Sequence, residues 1–213
     1  MIEVVPFIYE TEDELLSNTY IVKDNKDCFV VDPSSNYDGI INYINKNKLH
    51  LKFILVTHAH FDHIGGLDRL YNAFKVKIYA GYEELDTFKD PHLNCSDNYG
   101  IKPLVVNLPI IPLGDNEIIN GFSEKVKVIY TPYHTNGAVC YYLEDSKLLF
   151  SGDSLFNHCF GRSDLPTSIP SKMKESIAKM MALPDEVKVY PGHGKFTSIG
   201  NERRFVNMYN KLY

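Results

Sequence analysis

The sequence has 213 residues, of which 44% are hydrophobic and 23% charged, as in ordinary globular proteins. Its formal net charge of −5 gives no electrostatic reason to expect nucleic acid as a partner. Residues 1–9 lack a basic region followed by an apolar core, and no apolar run approaches the roughly 20 residues that span a bilayer. We therefore expect a cytoplasmic protein that binds neither nucleic acid nor a membrane.

The cysteines of the chain are widely spaced and form no CxxC pair. They are Cys28, Cys95, Cys140 and Cys159. A chain of this length does not need a disulfide framework to fold, so we expect free and mostly buried thiols.

Strand-like and helix-like segments alternate in the first part of the chain. The apolar or alternating runs that predict strands are residues 2–9, 19–24, 28–32, 53–57 and 76–79. Between them, apolar residues at helical spacing predict helices over residues 37–44 and about 67–74. This order indicates an α/β layout in which helices cover a sheet.

The pattern is weaker between residues 81 and 121, where residues 82–88 resemble a short helix. Strand-like runs then recur at residues 116–119, 125–130, 138–143, 148–150 and 187–190. Helical spacing joins Met173, Ile177, Met180 and Met181, and again Phe205, Met208, Tyr209 and Leu212. Since no linker or low-complexity segment interrupts residues 1–213, we predict a single domain.

Four metal-capable side chains fall within six residues, 58–63, just after the apolar run 53–56. They are His58, His60, Asp62 and His63. A loop that leaves the end of a buried strand is where α/β proteins commonly place their chemistry. Imidazole and carboxylate groups at this density are typical of a site for zinc or a similar metal.

Three further candidates stand in the same context, just past an apolar run. They are His134, Asp153 and His193. Each alone would be weak, because a lone histidine is more often structural and a Gly-Asp pair fits any turn. If the strands that precede them pack together, their ends can converge on one cleft. We therefore predict one metal centre built from five histidines and two aspartates.

Together these motifs resemble the metallo-β-lactamase-fold hydrolases, whose signature is HxHxDH followed by a lone His, a bridging Asp and a final His. The match extends to the short bacterial enzymes similar to glyoxalase II (hydroxyacylglutathione hydrolase). The motifs that carry this finer resemblance are 152–156 (GDSLF), 161–166 (GRSDLP), 191–194 (PGHG) and 197–202 (TSIGNE).

The resemblance implies a four-layer αββα sandwich, an α/β (α+β) fold with two sheets face to face and helices outside. It also implies how the ligands divide between two metals. His58, His60 and His134 would hold the first, Asp62, His63 and His193 the second, and Asp153 would bridge them. We expect two Zn²⁺ ions, with iron or manganese as alternatives in one or both sites.

The resemblance further implies a metal-dependent hydrolase that cleaves a small thioester similar to S-(2-hydroxyacyl)glutathione. Two metals roughly 3.5–4 Å apart can share a hydroxide that attacks the thioester carbonyl. Asp62, which would orient that nucleophile while binding metal, is the predicted catalytic residue. The alternatives are a persulfide dioxygenase with a single iron, and a lactonase or other ester hydrolase of the same fold.

Some residues depart from the family's pattern. Tyr133 replaces the usual Gly before His134, where a larger side chain could narrow the cleft, and Asn136 replaces a usual Pro. The C-terminal helical domain that holds glutathione in longer relatives is not expected here, since 20 residues follow His193. Arg162 is a candidate for binding a substrate carboxylate, with a surface ion pair as its alternative. We expect His158 not to be a ligand. The sequence does not predict an oligomeric state.

Overall fold

Two six-stranded sheets are the framework of the part that the structure describes, residues 1–8, 17–34, 37–98 and 102–209 of a computed structural model. Each sheet takes its strands in chain order. The first contains β1 (Glu3–Phe7), β2 (Thr19–Asp24), β3 (Asp27–Val31), β4 (His50–Leu55), β5 (Lys77–Gly81) and β6 (Ile110–Leu113). The second contains β7 (Ile118–Ile119), β8 (Val126–Tyr130), β9 (Val139–Leu143), β10 (Leu148–Gly152), β11 (Lys188–Pro191) and β12 (Thr197–Ser198).

The helices of eight or more residues lie on the outer faces of the two sheets, and a single-turn helix lies in the loop after β4. They are α1 (Tyr37–Lys46), α2 (Phe61–Ile64), α3 (Leu67–Phe74), α4 (Met173–Met181) and α5 (Ile199–Tyr209). Residues of α1 and α3, such as Ile40 and Leu70, pack on the first sheet, and Met180 of α4 packs on the second. In the described residues, no helix is long and apolar enough to cross a membrane.

A central core lies between the sheets and draws on both of them. Phe29 and Phe53 from the first sheet are buried in one cluster with Tyr141 and Phe150 from the second. Hydroxyl groups add polar links across the interface, since Tyr141 donates to the carbonyl of Val56 at 2.8 Å. The four layers confirm the expected αββα sandwich.

Strand direction brings the polar loops to one edge of the sandwich. In the first sheet β3, β4 and β5 are parallel. In the second, β10 and β11 are parallel, and β8 runs the same way as β10 because each is antiparallel to β9. Carboxyl ends of parallel strands share an edge of their sheet, so the loops after β4, β8, β10 and β11 can meet.

The structure departs from the predicted elements at several places. The strand β6 lies in the stretch where the pattern was weak, and residues 82–88 form two short 3₁₀ segments, Tyr82–Glu84 and Thr87–Lys89. The terminal helix α5 begins earlier than its apolar pattern indicates, at Ile199, and the predicted position Leu212 lies outside the described residues. The cysteines are free as expected, with Cys159 exposed and the other three buried.

Candidate metal centre

All seven predicted ligands lie in the loops at this edge. His58 and His60 follow β4, and the single-turn helix α2 carries Asp62 and His63. The other three, His134, Asp153 and His193, follow β8, β10 and β11.

The first set is formed by His58, His60 and His134, whose ligand atoms lie within 4.8 Å of one another. The Nε2 atom of His134 is 3.0 Å from Nδ1 of His60. Burial lowers the pKa of His58 well below its usual value and that of His60 to about 3. Both rings are therefore neutral at physiological pH and can offer lone pairs to a metal.

The second set is formed by Asp62, His63 and His193 under the same 4.8 Å limit. The Oδ2 atom of Asp62 lies 3.1 Å from Nε2 of His193 and 3.6 Å from Nε2 of His63. The side chain of His193 is 37% exposed, whereas His63 is buried. The centre is therefore reached from solvent on the His193 side.

Asp153 stands between the two sets. Its Oδ2 atom is 3.4 Å from Nε2 of His134 and 3.6 Å from Nε2 of His193, and its Oδ1 atom is 3.3 Å from Nε2 of His63. Burial would raise the pKa of this carboxyl, but the nearby histidines, His193 and His63 first, hold it well below its usual value. Asp153 is thus an ionised carboxylate placed to contact both sets.

These residues fit a metal, as their hydrogen bonding indicates. In the described part of the chain, His58 Nε2 and His60 Nε2 are buried without a hydrogen-bond partner. Buried polar atoms are rarely left in that state. Imidazole nitrogens and carboxylate oxygens converging on one place are the donors that zinc and similar metals take.

A second layer of contacts orients the rings. Asp32 Oδ2 lies 2.9 Å from Nδ1 of His63 and also accepts the hydroxyl of Thr57 at 2.7 Å. The other oxygen of Asp32 accepts the backbone N–H of Thr57 at 2.7 Å. On the other side, Nδ1 of His134 lies 2.7 Å from the carbonyl of Arg162. Such contacts fix which ring nitrogen faces a metal.

The family profile described as "Metallo-beta-lactamase superfamily" matches residues 13–193. The chain belongs to this superfamily. It is a metallo-hydrolase, and superfamily members bind metal ions. A "Probable metallo-hydrolase YqgX" of Bacillus subtilis is 33% identical over 88% of the chain and 89% of its own length. The "Hydroxyacylglutathione hydrolase GloC" of Haemophilus influenzae is 31% identical, covering 85% of the chain and 86% of its own length.

Two solved structures are similar to the chain over nearly its whole length. The crystal structure of the BLEG-1 B3 metallo-beta-lactamase superposes with a TM-score of 0.86 at 32% identity, covering 96% of this chain and 97% of the other. TTHA1623 in a di-iron-bound form has a TM-score of 0.83 at 29% identity, covering 94% and 98% of the two chains. The fold expected from the motifs is therefore confirmed by the family match and by the similarity to the solved metallo-beta-lactamase.

The ring of Tyr133 is fully buried, so this side chain does not line an open surface beside His134. Its hydroxyl donates to the carbonyl of Ser154 at 2.7 Å and accepts the N–H of Gly161 at 3.1 Å. The side chain therefore joins the loop after β10 to the segment that carries Arg162.

The guanidinium of Arg162 is paired with Asp164, at 2.6 and 2.8 Å from its two carboxylate oxygens. This is the surface ion pair that the sequence left as the alternative, and the backbone carbonyl of the same residue contacts His134. Binding of a substrate carboxylate by Arg162 stays a prediction. His158 lies outside the metal-capable groups of the described residues and stacks on Phe205 with ring centroids 5.5 Å apart.

Two acidic residues near the centre were missed by sequence reasoning. Asp32 follows β3 directly, the same strand-exit context as the ligands, so a signal was present. Glu84 lies in a 3₁₀ segment and is fully buried, where no local pattern indicated a role.

Proposed function

We propose that the protein is a dinuclear-metal thioesterase that hydrolyses a small substrate similar to S-(2-hydroxyacyl)glutathione. One observation carries the proposal: two complete sets of three ligand side chains face each other, with Asp153 in contact with members of both. A centre for a single metal would need only one of these sets.

The metals proposed are two Zn²⁺ ions. A relative described in a di-iron-bound form supports iron as the alternative in one or both sites. When bound, such a pair supplies an acidified water as nucleophile and a Lewis acid for the carbonyl oxygen. His58, His60 and His134 would hold one ion, and Asp62, His63 and His193 the other, with Asp153 shared.

Asp62 is proposed to orient the nucleophile. Its carboxylate lies on the side of the centre that opens to solvent, next to the partly exposed His193. The backbone of Asp62 is held by the hydroxyl of Ser17, which donates to its carbonyl at 2.9 Å. A fixed carboxylate at the mouth of the centre can accept a hydrogen bond from a water and aim it at an incoming carbonyl.

The rim of the centre supports a small organic substrate. The ring of Phe156 lies 6.0 Å from that of His193, and Phe196, on the same loop as His193, is 39% exposed. Aromatic side chains beside a polar centre suit a ligand with both apolar and polar parts. A thiolate leaves readily, so the reaction needs little help from a general acid.

Two alternatives remain as outcomes of the test. The persulfide dioxygenase reaction would use one iron, and a lactonase or another ester hydrolase would share the centre but not the thioester. The similarity to a protein titled a B3 metallo-beta-lactamase adds β-lactams to the substrates worth a trial. A cytoplasmic location stays a prediction.

Metal content and a substrate panel test the proposal together. Purified protein is expected to hold two metal ions per chain and to hydrolyse S-D-lactoylglutathione faster than a lactone or a β-lactam. Asp153→Ala and His58→Ala should abolish the activity. A protein with two ions that leaves thioesters intact, or one with a single iron that consumes oxygen with glutathione persulfide, would overturn it.

A further inference from the structure

Glu84 is a fully buried carboxylic acid that belongs to neither ligand set. It ends the 3₁₀ segment Tyr82–Glu84, which directly follows β5. Burial raises the pKa of its carboxyl group to about 7. A buried acid is costly to keep unless its oxygens are well hydrogen-bonded, so its partners indicate what it does.

The carboxyl group of Glu84 binds two different loops. Its Oε2 atom accepts the backbone N–H of Ala59 at 2.8 Å. Its Oε1 atom accepts the hydroxyl of Thr135 and, at 3.2 Å, the backbone N–H of Gly137. Ala59 lies in the loop after β4 of the first sheet, and Thr135 and Gly137 lie in the loop after β8 of the second. One side chain therefore connects the two halves of the sandwich.

The partners of Glu84 adjoin the first ligand set in sequence. Ala59 lies between His58 and His60, and Thr135 directly follows His134. Two short backbone segments therefore carry the whole set, and Glu84 hydrogen-bonds to both. Glu84 makes no contact of this kind with the second set, where Asp32 lies beside His63 and reaches His58 of the first set through the hydroxyl of Thr57.

The backbones of Gly137 and Glu84 lie very close together. A Cβ atom at Gly137 would lie 2.5 Å from the backbone nitrogen of Glu84 and 2.8 Å from its Cγ atom. Separations below 3.0 Å essentially never occur for real Cβ atoms. Because position 137 has no side chain, this loop can approach the backbone of Glu84 closely, and the Gly137 N–H reaches the Glu84 carboxyl group.

We propose that Glu84 is a positioning residue for the first metal site: it sets the spacing between the His58–His60 segment and His134, and so raises the metal affinity of that set selectively. Loss of such outer contacts typically lowers metal affinity about 10–100-fold. A loss of metal affinity confined to the first set distinguishes this role from a general loss of stability, which would weaken metal binding by both sets.

Two variants, each lacking a ligand of one set, allow metal binding by the other set to be measured alone. His193→Ala leaves the first set whole, and His134→Ala leaves the second whole. Zinc is titrated into each metal-free protein in competition with a chromophoric chelator. In the His193→Ala background, Glu84→Ala is expected to weaken zinc binding by about 10-fold or more. In the His134→Ala background the same change should leave zinc binding within about 3-fold.

Glu202 provides the matched control. It is equally buried and accepts a backbone N–H, from His158 at 2.9 Å, and a threonine hydroxyl, from Thr197. None of these groups belongs to a ligand set of the described residues. Glu202→Ala should therefore lower the thermal stability of the metal-free protein as Glu84→Ala does, while zinc affinity in both backgrounds stays unchanged.

Glu84→Gln keeps the test decisive if Glu84→Ala does not fold. Its amide oxygen can still accept the N–H of Ala59, but its NH₂ group faces the N–H of Gly137, so we expect a smaller loss confined to the same background. Equal weakening in both backgrounds, or zinc binding unchanged by either substitution, would refute the positioning role. Because zinc binding is measured without a substrate, a wrong assignment of the thioester leaves the result intact.

Discussion

Gly192 allows the loop after β11 to touch the carboxylate that lies between the two ligand sets. A Cβ atom at this position would lie 2.2 Å from Oδ1 of Asp153 and 2.7 Å from Cε1 of His63. Ordinary van der Waals contact begins at 3.4 Å. Gly192→Ala should therefore push Asp153 or the loop aside by about 1 Å, a misplacement that can cost on the order of 100-fold in rate.

The size of the effect follows from which atoms must move. Both contacted side chains are proposed ligands, so the displacement falls on the metal centre and not on a flexible surface group. Overpacking of this kind also costs roughly 1–3 kcal/mol of stability. We expect Gly192→Ala to fold, to bind zinc about 10–100-fold more weakly, and to lose most of its hydrolytic activity.

Two other glycines separate crowding from backbone strain. Gly194 has φ +73°, but a Cβ atom there would meet no other atom within 4 Å, so Gly194→Ala should cost about 1–2 kcal/mol from strain alone. Gly114 has neither constraint, since its nearest contact would be at 3.6 Å. Zinc titration and urea unfolding of the three variants provide the comparison. If Gly192→Ala bound zinc as tightly as Gly114→Ala, the crowding argument would be wrong.

Further predictions concern the surroundings of the centre. Asp32→Asn places an amide beside the ring of His63 and should lower zinc affinity about 10–100-fold in a chelator competition; unchanged affinity would deny Asp32 an orienting role. Tyr133→Phe removes the acceptor of the Gly161 N–H and should cost about 1–3 kcal/mol in urea unfolding, and an equally stable variant would contradict this. Chelation should lower Tm, and added zinc should restore it, because a ligand that binds only the folded state stabilises it; a Tm indifferent to chelator argues against bound metal. Burial raises the pKa of Glu84 from 4.5 to about 7, so the folded state holds this proton more tightly than the unfolded state. The metal-free protein should therefore lose stability as pH rises from 4.5 to about 7, and Glu84→Gln should flatten that dependence in urea unfolding; identical pH profiles would count against it.

The proposed ligands could be found from the sequence because each follows an apolar strand. His134 and His193 carry little information alone, yet both stand just past runs that the structure shows as β8 and β11. The sequence shows only that each residue follows a strand. Because the ends of these strands lie at one edge of the sandwich, the residues are then close together in space. What the runs could not predict is which ring nitrogen faces inward, since that depends on contacts such as Asp32 with His63.

Glu84 could not be found in this way because its role is defined entirely by distant residues. It lies 25 positions from Ala59 and 51 from Thr135. Nothing in the surrounding residues marks it as different from an exposed acid. The edge strand β6 was also not predicted, because it lies in the stretch where the apolar pattern of the sequence was weak.

The order of the strands divides the chain into two consecutive halves, one sheet each, with the boundary between Leu113 and Ile118. Each ligand set draws two side chains from the first half and one from the second: His58 and His60 with His134, Asp62 and His63 with His193. Among the described residues, neither half alone supplies all three members of either set. A chain cut at this boundary would therefore bind metal tightly only when its two fragments reassociate, and metal capture would report directly on the docking of one sheet against the other.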